Sequence, residues 1–251
     1  MLSVFKFFSF LFIIGWPLAG LCGVSEKSND ELFVGVSYLR ENQIYLGDSS
    51  RNLLFPYIKM RKSFWRLDTF RLRANFLDEE SYVTGLQIKY HLNGHESKSS
   101  RKLSEEPDRN NSVLIGGYYI QKFLQNYLLG FDVDRTILGA EGATIISASL
   151  QRHFDPMKEM RLIPFAEIQF VDSVYVDYYY GLHFDKYNDL EYQGLATFNF
   201  KIGINFIYSL EKDWYLHLRG IYTKYGPGIV ESPIVAHGQI VQWVTSLVFE
   251  I

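Results

Sequence analysis

The chain has 251 residues, a formal net charge of −3 at neutral pH, and 17% aromatic residues, among them 18 Tyr and 20 Phe. This slightly acidic balance gives no support for nucleic acid as a partner, because nucleic-acid-binding domains carry clustered positive charge. The chain has only one cysteine, so no disulfide can form within it. After the first segment, no run approaches the roughly 18 apolar residues that a membrane-spanning helix needs.

The first segment, residues 1–23, contains one lysine, an apolar stretch and then small residues around Cys22, which is the layout of a secretory signal peptide. Gly15 and Pro17 interrupt the apolar stretch, which is short for a membrane span. We therefore predict a cleavable signal over 1–23 and an exported domain over 24–251. A lipid anchor on Cys22 is the alternative, but Leu21 disfavours it because such signals carry a small residue there.

From Leu32 onward, apolar and polar residues alternate with a period of two, as in strands with one apolar face. The clearest example is the stretch 195–210, in which the even positions are apolar and the odd positions mostly polar. Counting such stretches with their turn signals predicts twelve strands: 31–39, 52–62, 65–76, 81–93, 112–122, 126–135, 142–153, 160–171, 174–183, 194–210, 213–225 and 239–251.

Alternation also occurs in soluble β-sandwiches, which hide one face of each sheet. Two features favour a membrane barrel instead. The predicted strands have nine to seventeen residues, whereas strands of about five or six are usual. Aromatic residues such as Trp65, Tyr127 and Trp243 cluster at strand ends, as in the interfacial girdles of membrane barrels. The predicted fold is an all-β, transmembrane, antiparallel up-and-down β-barrel of about 12 strands.

One long polar connection, residues 94–112, follows the predicted fourth strand and lacks any apolar period. If both chain ends lie in the periplasm, connections after even-numbered strands are periplasmic, so this loop is predicted to face the murein. A long periplasmic loop is unusual and could dock a partner; a solvated disordered loop is the alternative. The candidate docking residues are Arg101, Lys102, Glu105, Glu106, Asp108 and Arg109.

Alternation also turns a mixed set of charges toward the barrel interior. Such charges could pair and plug a narrow lumen, or they could line an ion- or solute-selective channel, and the sequence leaves both open. The candidate lumen charges are Arg71, Arg73, Lys89, Glu167, Lys201 and Arg219, with Asp132, Asp134 and Glu250 on the same face.

The chain resembles the MipA/OmpV family of outer-membrane proteins across most of its exported part. The likeness is carried by residues 33–62, 84–94, 171–182 and 231–239 in that order. An amphipathic final strand over 241–251 is, in addition, typical of outer-membrane barrels in general. The most specific motif is Ser232, Pro233, Ile234 and Val235 before that strand.

The resemblance implies an outer-membrane barrel without cofactor that acts as a scaffold between a periplasmic murein hydrolase and a murein synthase. Outer-membrane lipid is the other expected partner. A small-solute porin is the alternative function. A lipid hydrolase is the third hypothesis, although no hydrolase motif is present, and His153 beside Asp155 is its nearest candidate pair. We therefore predict no enzyme activity, no catalytic residue and no metal site.

Overall fold

A computed structural model of the chain describes residues 31–48, 50–62, 64–96, 107–124, 126–182 and 191–251. The predicted signal peptide, residues 1–23, lies outside these residues. The described strands are β1 (Glu31–Glu41), β2 (Arg51–Lys62), β3 (Trp65–Asp68), β4 (Arg71–Asp78), β5 (Tyr82–His91), β6 (Ser112–Phe123), β7 (Tyr127–Leu138), β8 (Thr144–Arg152), β9 (Phe154–Met157), β10 (Met160–Val171), β11 (Thr197–Glu211), β12 (Trp214–Lys224) and β13 (Gln239–Glu250).

These strands form one closed antiparallel barrel. Each strand pairs with its neighbour along the chain, and β13 returns to pair with β1, for example Ser37 opposite Ser246. β8 and β9 are two parts of one wall strand, because both pair with β10 and only His153 separates them. The wall therefore has twelve strands, which confirms the predicted fold class and strand number.

Side-chain exposure follows the alternation. Along β2, Asn52, Leu54, Pro56 and Ile58 are exposed while their neighbours are half-buried. β11 shows the same pattern, with Phe198 52%, Phe200 54% and Ile202 58% exposed on the outer face. A sheet that exposes its apolar face on the outside is suited to lipid rather than water.

One predicted strand is wrong in detail. The stretch 65–76 is not one strand but two, β3 and β4, joined by a tight turn at Thr69, whose φ is +40°. β3 pairs with β2 through four residues only, and β4 then runs back along it. Five strands rather than four therefore precede the long loop after β5.

A second predicted strand, 174–183, is a helix. Helix α1 covers Ser173–Tyr180, and the Asp172 carboxylate caps it by accepting from the backbone N–H of Tyr175. The stretch has β-branched and aromatic residues that favour strands, but it lies beyond the end of the wall, where packing decides its form. A second short helix, α2, covers Pro227–Val230. No helix of the described residues is long and apolar enough to cross a membrane.

The two ends of the barrel differ. Glu31 and Glu250 lie at one end, here the terminal end, together with the short connections 63–64, 79–81, 124–126, 158–159 and 212–213. The other end, here the loop end, carries the connections 42–50, 92–111, 139–143, 172–196 and 225–238. The described parts of the long polar connection, 92–96 and 107–111, thus lie at the end opposite Glu31 and Glu250. The strand numbering that placed it on the terminal side is wrong, because the stretch 65–76 contributes two strands.

Candidate functional site

The strand pairing brings the predicted lumen charges to the inner face of the wall. Arg71 lies opposite Lys89 in the β4–β5 register, and Glu167 lies opposite Lys201 in the β10–β11 register. Arg219 is on the inner face of β12, the same face as the buried Thr223, whereas Leu218 is on the outer face. Arg73 follows Arg71 on the same face of β4.

Two groups of ion pairs cross this inner face. Lys89 Nζ lies 2.6 Å from Asp134 and 3.0 Å from Asp132, both on β7, and reaches them across β6. On the other side of the barrel, Lys201 Nζ lies 2.9 Å from Glu167. The buried Gln87 side chain also donates to Asp134 at 2.9 Å. Since Asp134 is 2% exposed, these partners compensate a carboxylate that is removed from water.

Gly116 makes the first of these groups possible. It faces Gln87 on β5 and Asp134 on β7, so it lies on the inner face between the two partners. A Cβ built there would overlap the Asp134 carboxylate and the Val133 backbone. The absence of a side chain lets Lys89 span two strand spacings.

At the loop end, the connections pack into an apolar cluster that we call the cap. It joins inward residues of β6, β8 and β10 to residues of α1, α2 and the β1–β2 connection. β1 and β6 lie on opposite sides of a twelve-stranded wall, so one continuous cluster between them spans the mouth of the barrel. The cap residues are Ile44, Tyr45, Leu114, Ala140, Ala143, Ile145, Val171, Val176, Tyr179, Tyr180, Leu182, Ile229 and Ile234.

A hydrogen bond and a ring contact connect the β1–β2 connection to helix α1 within the cap. Tyr45 Oη donates to the Tyr179 carbonyl at 3.0 Å, and its ring stacks on Tyr180 with centroids 5.8 Å apart. Burial raises the pKa of Tyr45, so its hydroxyl stays protonated and remains a donor. No sequence pattern assigns a role to these residues, although the run of three tyrosines at 178–180 is visible.

The family motif lies within the cap. The Ser232 hydroxyl donates to the Tyr180 carbonyl, and the Ile234 carbonyl accepts from Leu46 at 2.9 Å. Val235 forms an isolated antiparallel bridge with Tyr45, and Pro233 lies between these contacts in the chain. The motif therefore joins the β12–β13 connection to the β1–β2 connection, so its role is structural rather than chemical.

The predicted docking loop is only partly described. Arg101, Lys102, Glu105 and Glu106 lie outside the described residues. Asp108 is exposed, but Arg109 is 5% exposed and donates to the Gly181 carbonyl at 3.0 Å. The prediction that Arg109 is presented to a partner is wrong, because it holds the cap.

A buried histidine joins two loops of the cap. His95 Nδ1 lies 3.0 Å from Asp48, and its ring stacks on Tyr45 with centroids 4.2 Å apart. Burial lowers the pKa of His95 from its ordinary value of 6.5; Asp48 opposes this effect, Arg109 adds to it, and Asp108 opposes it. A released His95 takes up a proton near pH 6.5, whereas the packed one does so only at lower pH.

We expect the cap to loosen on acidification. Its closure is most stable above pH 6.5 and loses stability as the pH falls from there toward the lowered pKa of His95. Amide hydrogen exchange of residues 44–48 and 229–235, corrected for intrinsic rates, should be faster at pH 5 than at pH 7.5. His95→Gln keeps a donor for Asp48 without titrating and should abolish the difference. Equal protection of the unaltered chain at both pH values would refute the expectation.

The described residues provide no catalytic pair at His153 and no metal site. The Asp155 carboxylate pairs with Arg161 at 2.7 Å, and no hydrogen bond joins it to His153 among the described residues. Within the described ranges, no group of three His, Cys, Asp or Glu side chains could hold a metal ion. A crevice of about 1550 Å³ lies outside the wall beside α2, and the outward Phe198 and Phe200 line it. It includes none of the predicted lumen residues.

The family model described as MltA-interacting protein MipA matches residues 34–250. The chain belongs to the MipA family. This confirms the resemblance that the sequence motifs indicated, and it shows the protein to be an outer-membrane β-barrel.

Two MipA-family relatives are outer-membrane proteins of vibrios. Outer membrane protein OmpV of Vibrio cholerae is 24% identical over 62% of this chain and 58% of its own length. Outer membrane protein Omp26La of Vibrio anguillarum is 23% identical over 65% of this chain and 61% of its own length. The matched region thus spans about three-fifths of these relatives.

Solved barrels are more distant from this MipA-family chain. An outer-membrane channel from Pseudomonas putida F1 has a TM-score of 0.47 and 11% identity, covering 93% of this chain and all of its own. The NanC porin has a TM-score of 0.41 and 7% identity, covering 88% of this chain and all of its own. These likenesses are too remote to bear on function.

Proposed function

We propose that this barrel is an outer-membrane scaffold that binds periplasmic murein enzymes and does not conduct solutes while its cap is packed. The observation that carries the proposal is the cap, in which buried side chains from opposite sides of the wall meet across the mouth. The family description, MltA-interacting protein, supports a murein hydrolase as one partner. A murein synthase is the second partner that the scaffold role requires, and outer-membrane lipid surrounds the apolar wall.

The terminal end is the proposed docking end. Outer-membrane barrels have short periplasmic turns and longer extracellular loops, and the short connections here are at the terminal end. The loop 94–112 then faces the cell exterior, so it is not the murein-side surface.

Leu124 is a candidate contact at the docking end. It lies in the β6–β7 turn, is 73% exposed, and adopts a φ of +45°. A large apolar residue in the left-handed region costs free energy and gains no burial within the barrel. Its contact with a partner protein would compensate that cost.

A binding experiment tests this arrangement. Folded barrel immobilised in detergent should retain a purified murein hydrolase of the MltA type, and Leu124→Asn should weaken retention about tenfold, as expected for one apolar anchor. Asparagine is well suited to a positive φ, so the turn should keep its form. Deletion of residues 95–111 at the other end should leave retention unchanged. Loss of the hydrolase on that deletion, with no effect of Leu124→Asn, would place docking at the loop end and overturn the proposal.

One observation favours a porin as second candidate. Arg219 points into the barrel and is nevertheless exposed, so the lumen at its level is wide enough to admit water. Passage of small solutes would then depend on whether the cap opens.

A further inference from the structure

Three lumen cations rest on aromatic rings instead of carboxylates. Lys59 Nζ lies 5.4 Å from the centroid of Phe33, the Arg73 guanidinium 4.7 Å from Tyr118, and the Arg219 guanidinium 5.3 Å from Phe165. None of the three cations has an ion pair among the residues that the structure describes. A ring holds a cation in place without cancelling its charge.

These cations share one space. Arg71 lies within electrostatic range of Arg73 on its own strand and of Arg219 on β12. Asp68 on β3 lies opposite Lys59 on β2 and opposite Arg71 on β4 in the strand register, and it lies within electrostatic range of Arg73 and Arg219. We call this space, lined by Lys59, Arg71, Arg73 and Arg219, the basic chamber.

Most carboxylates around the basic chamber already pair with Lys89 or Lys201. Asp132 and Asp134 both bind Lys89, and the Asp132 contact to Arg71 is long, at 3.9 Å. Glu167 binds Lys201. Glu250 lies opposite Phe33 and accepts from the Tyr215 hydroxyl. Six cations therefore face five carboxylates on this part of the inner wall: Lys59, Arg71, Arg73, Lys89, Lys201 and Arg219 against Asp68, Asp132, Asp134, Glu167 and Glu250. This part of the inner wall is thus positive by one charge in a chain whose net charge is −3.

We propose that the basic chamber is a binding site for a small anion that bears two or more carboxylate or phosphate groups. Such a ligand suits the four cations of the basic chamber, because most of the surrounding carboxylates already pair with Lys89 or Lys201. Guanidinium groups bind both kinds of oxygen pair by two parallel hydrogen bonds. Low-dielectric walls around a water-filled space strengthen the attraction relative to bulk water. The exposed Arg219 is the first contact for an anion in that water, and the site stands whether or not the barrel binds a periplasmic protein.

Calorimetric titration of the folded chain in a nonionic detergent at low salt tests this site. Citrate and pyrophosphate are the probes for the carboxylate and phosphate classes, and glucose and spermidine are the neutral and cationic controls. We expect at least one anion to bind and neither control to do so. Binding of a single anion class supports the site and assigns its chemistry. Arg71→Gln and Arg219→Gln should each weaken binding at least tenfold.

Arg161→Gln is the matched control, because Arg161 is an exposed arginine whose partner, Asp155, lies near the terminal end. It should bind the anion like the unaltered chain. Arg219→Lys keeps the charge and should retain part of the affinity, which separates loss of binding from loss of fold. Folding of every variant is checked by its heat-dependent mobility on gels. The proposal is overturned if neither anion binds, or if the glutamine variants bind as tightly as Arg161→Gln.

Discussion

Vesicles carrying the Val176→Asp variant should become permeable to small sugars, while vesicles carrying the unaltered barrel stay tight. Val176 is on helix α1, has no exposed surface and lies in the cap. A carboxylate left uncompensated in such a place costs roughly 3–5 kcal/mol. Because α1 lies beyond the strand ladder, the substitution destabilises the closed cap rather than the barrel wall. A change of 3 kcal/mol shifts the ratio of closed to open caps by about two orders of magnitude.

Val174→Asp is the matched control for this experiment. Val174 is on the same helix and is 48% exposed, so its carboxylate stays in water. Vesicle swelling in isotonic sugar should be fast for Val176→Asp and slow for both Val174→Asp and the unaltered barrel. If hydrogen exchange shows that Val176→Asp loosens the cap while the vesicles remain tight, the cap is not the barrier and the closure would have to lie deeper in the lumen.

The second large effect concerns Gly116 under the Lys89–Asp134 pair. Gly116→Ala places a methyl group where the Asp134 carboxylate and the Val133 backbone lie. Either the carboxylate moves off Lys89 or the strands separate, and overpacking of this kind costs up to about 3 kcal/mol. Urea unfolding of the barrel in lipid vesicles should show that loss.

The adjacent Gly117 provides the control. It faces the outside, and a Cβ there would lie 3.8 Å from the Gly85 carbonyl oxygen, an ordinary contact. Gly117→Ala should be neutral or slightly stabilising, because glycine is a poor strand residue. Equal effects of the two substitutions would mean that the ion pair does not depend on the space at Gly116.

The fold class could be predicted from sequence because a membrane barrel obeys one simple rule. Each wall residue faces either lipid or the interior, so polarity alternates along every strand, and the pattern fixes the wall without knowledge of tertiary contacts. The same rule placed Lys89, Glu167 and Lys201 on the inner face. It could not reveal which of them pair, since pairing depends on strand register and on the small residue at Gly116.

The split between β3 and β4 was present in the sequence but missed. The outward positions are Trp65 and Leu67 before the turn and Leu72 and Ala74 after it, so the alternation changes phase at Thr69. A phase change within one apolar pattern is the mark of a tight turn. Recognising this phase change would have added one strand before the long loop and thereby placed the loop at the loop end.

The cap could not be predicted in this way. Its residues come from four separate connections and three strands, and their side chains have no common period. Helix α1 in particular has the composition of a strand. Its helical form depends on its packing and on the Asp172 side chain, which is its N-cap. Arg109 likewise read as a surface charge, although its carbonyl partner at Gly181 is 72 residues away.

Recording the unaltered barrel in a planar lipid bilayer at neutral pH tests the packed cap most directly. Because buried side chains span the mouth, we expect insertion, confirmed by antibody or label, without steady openings in concentrated salt. A stable ohmic current from every inserted barrel would contradict it, because a permanently open lumen is incompatible with a cap that excludes water.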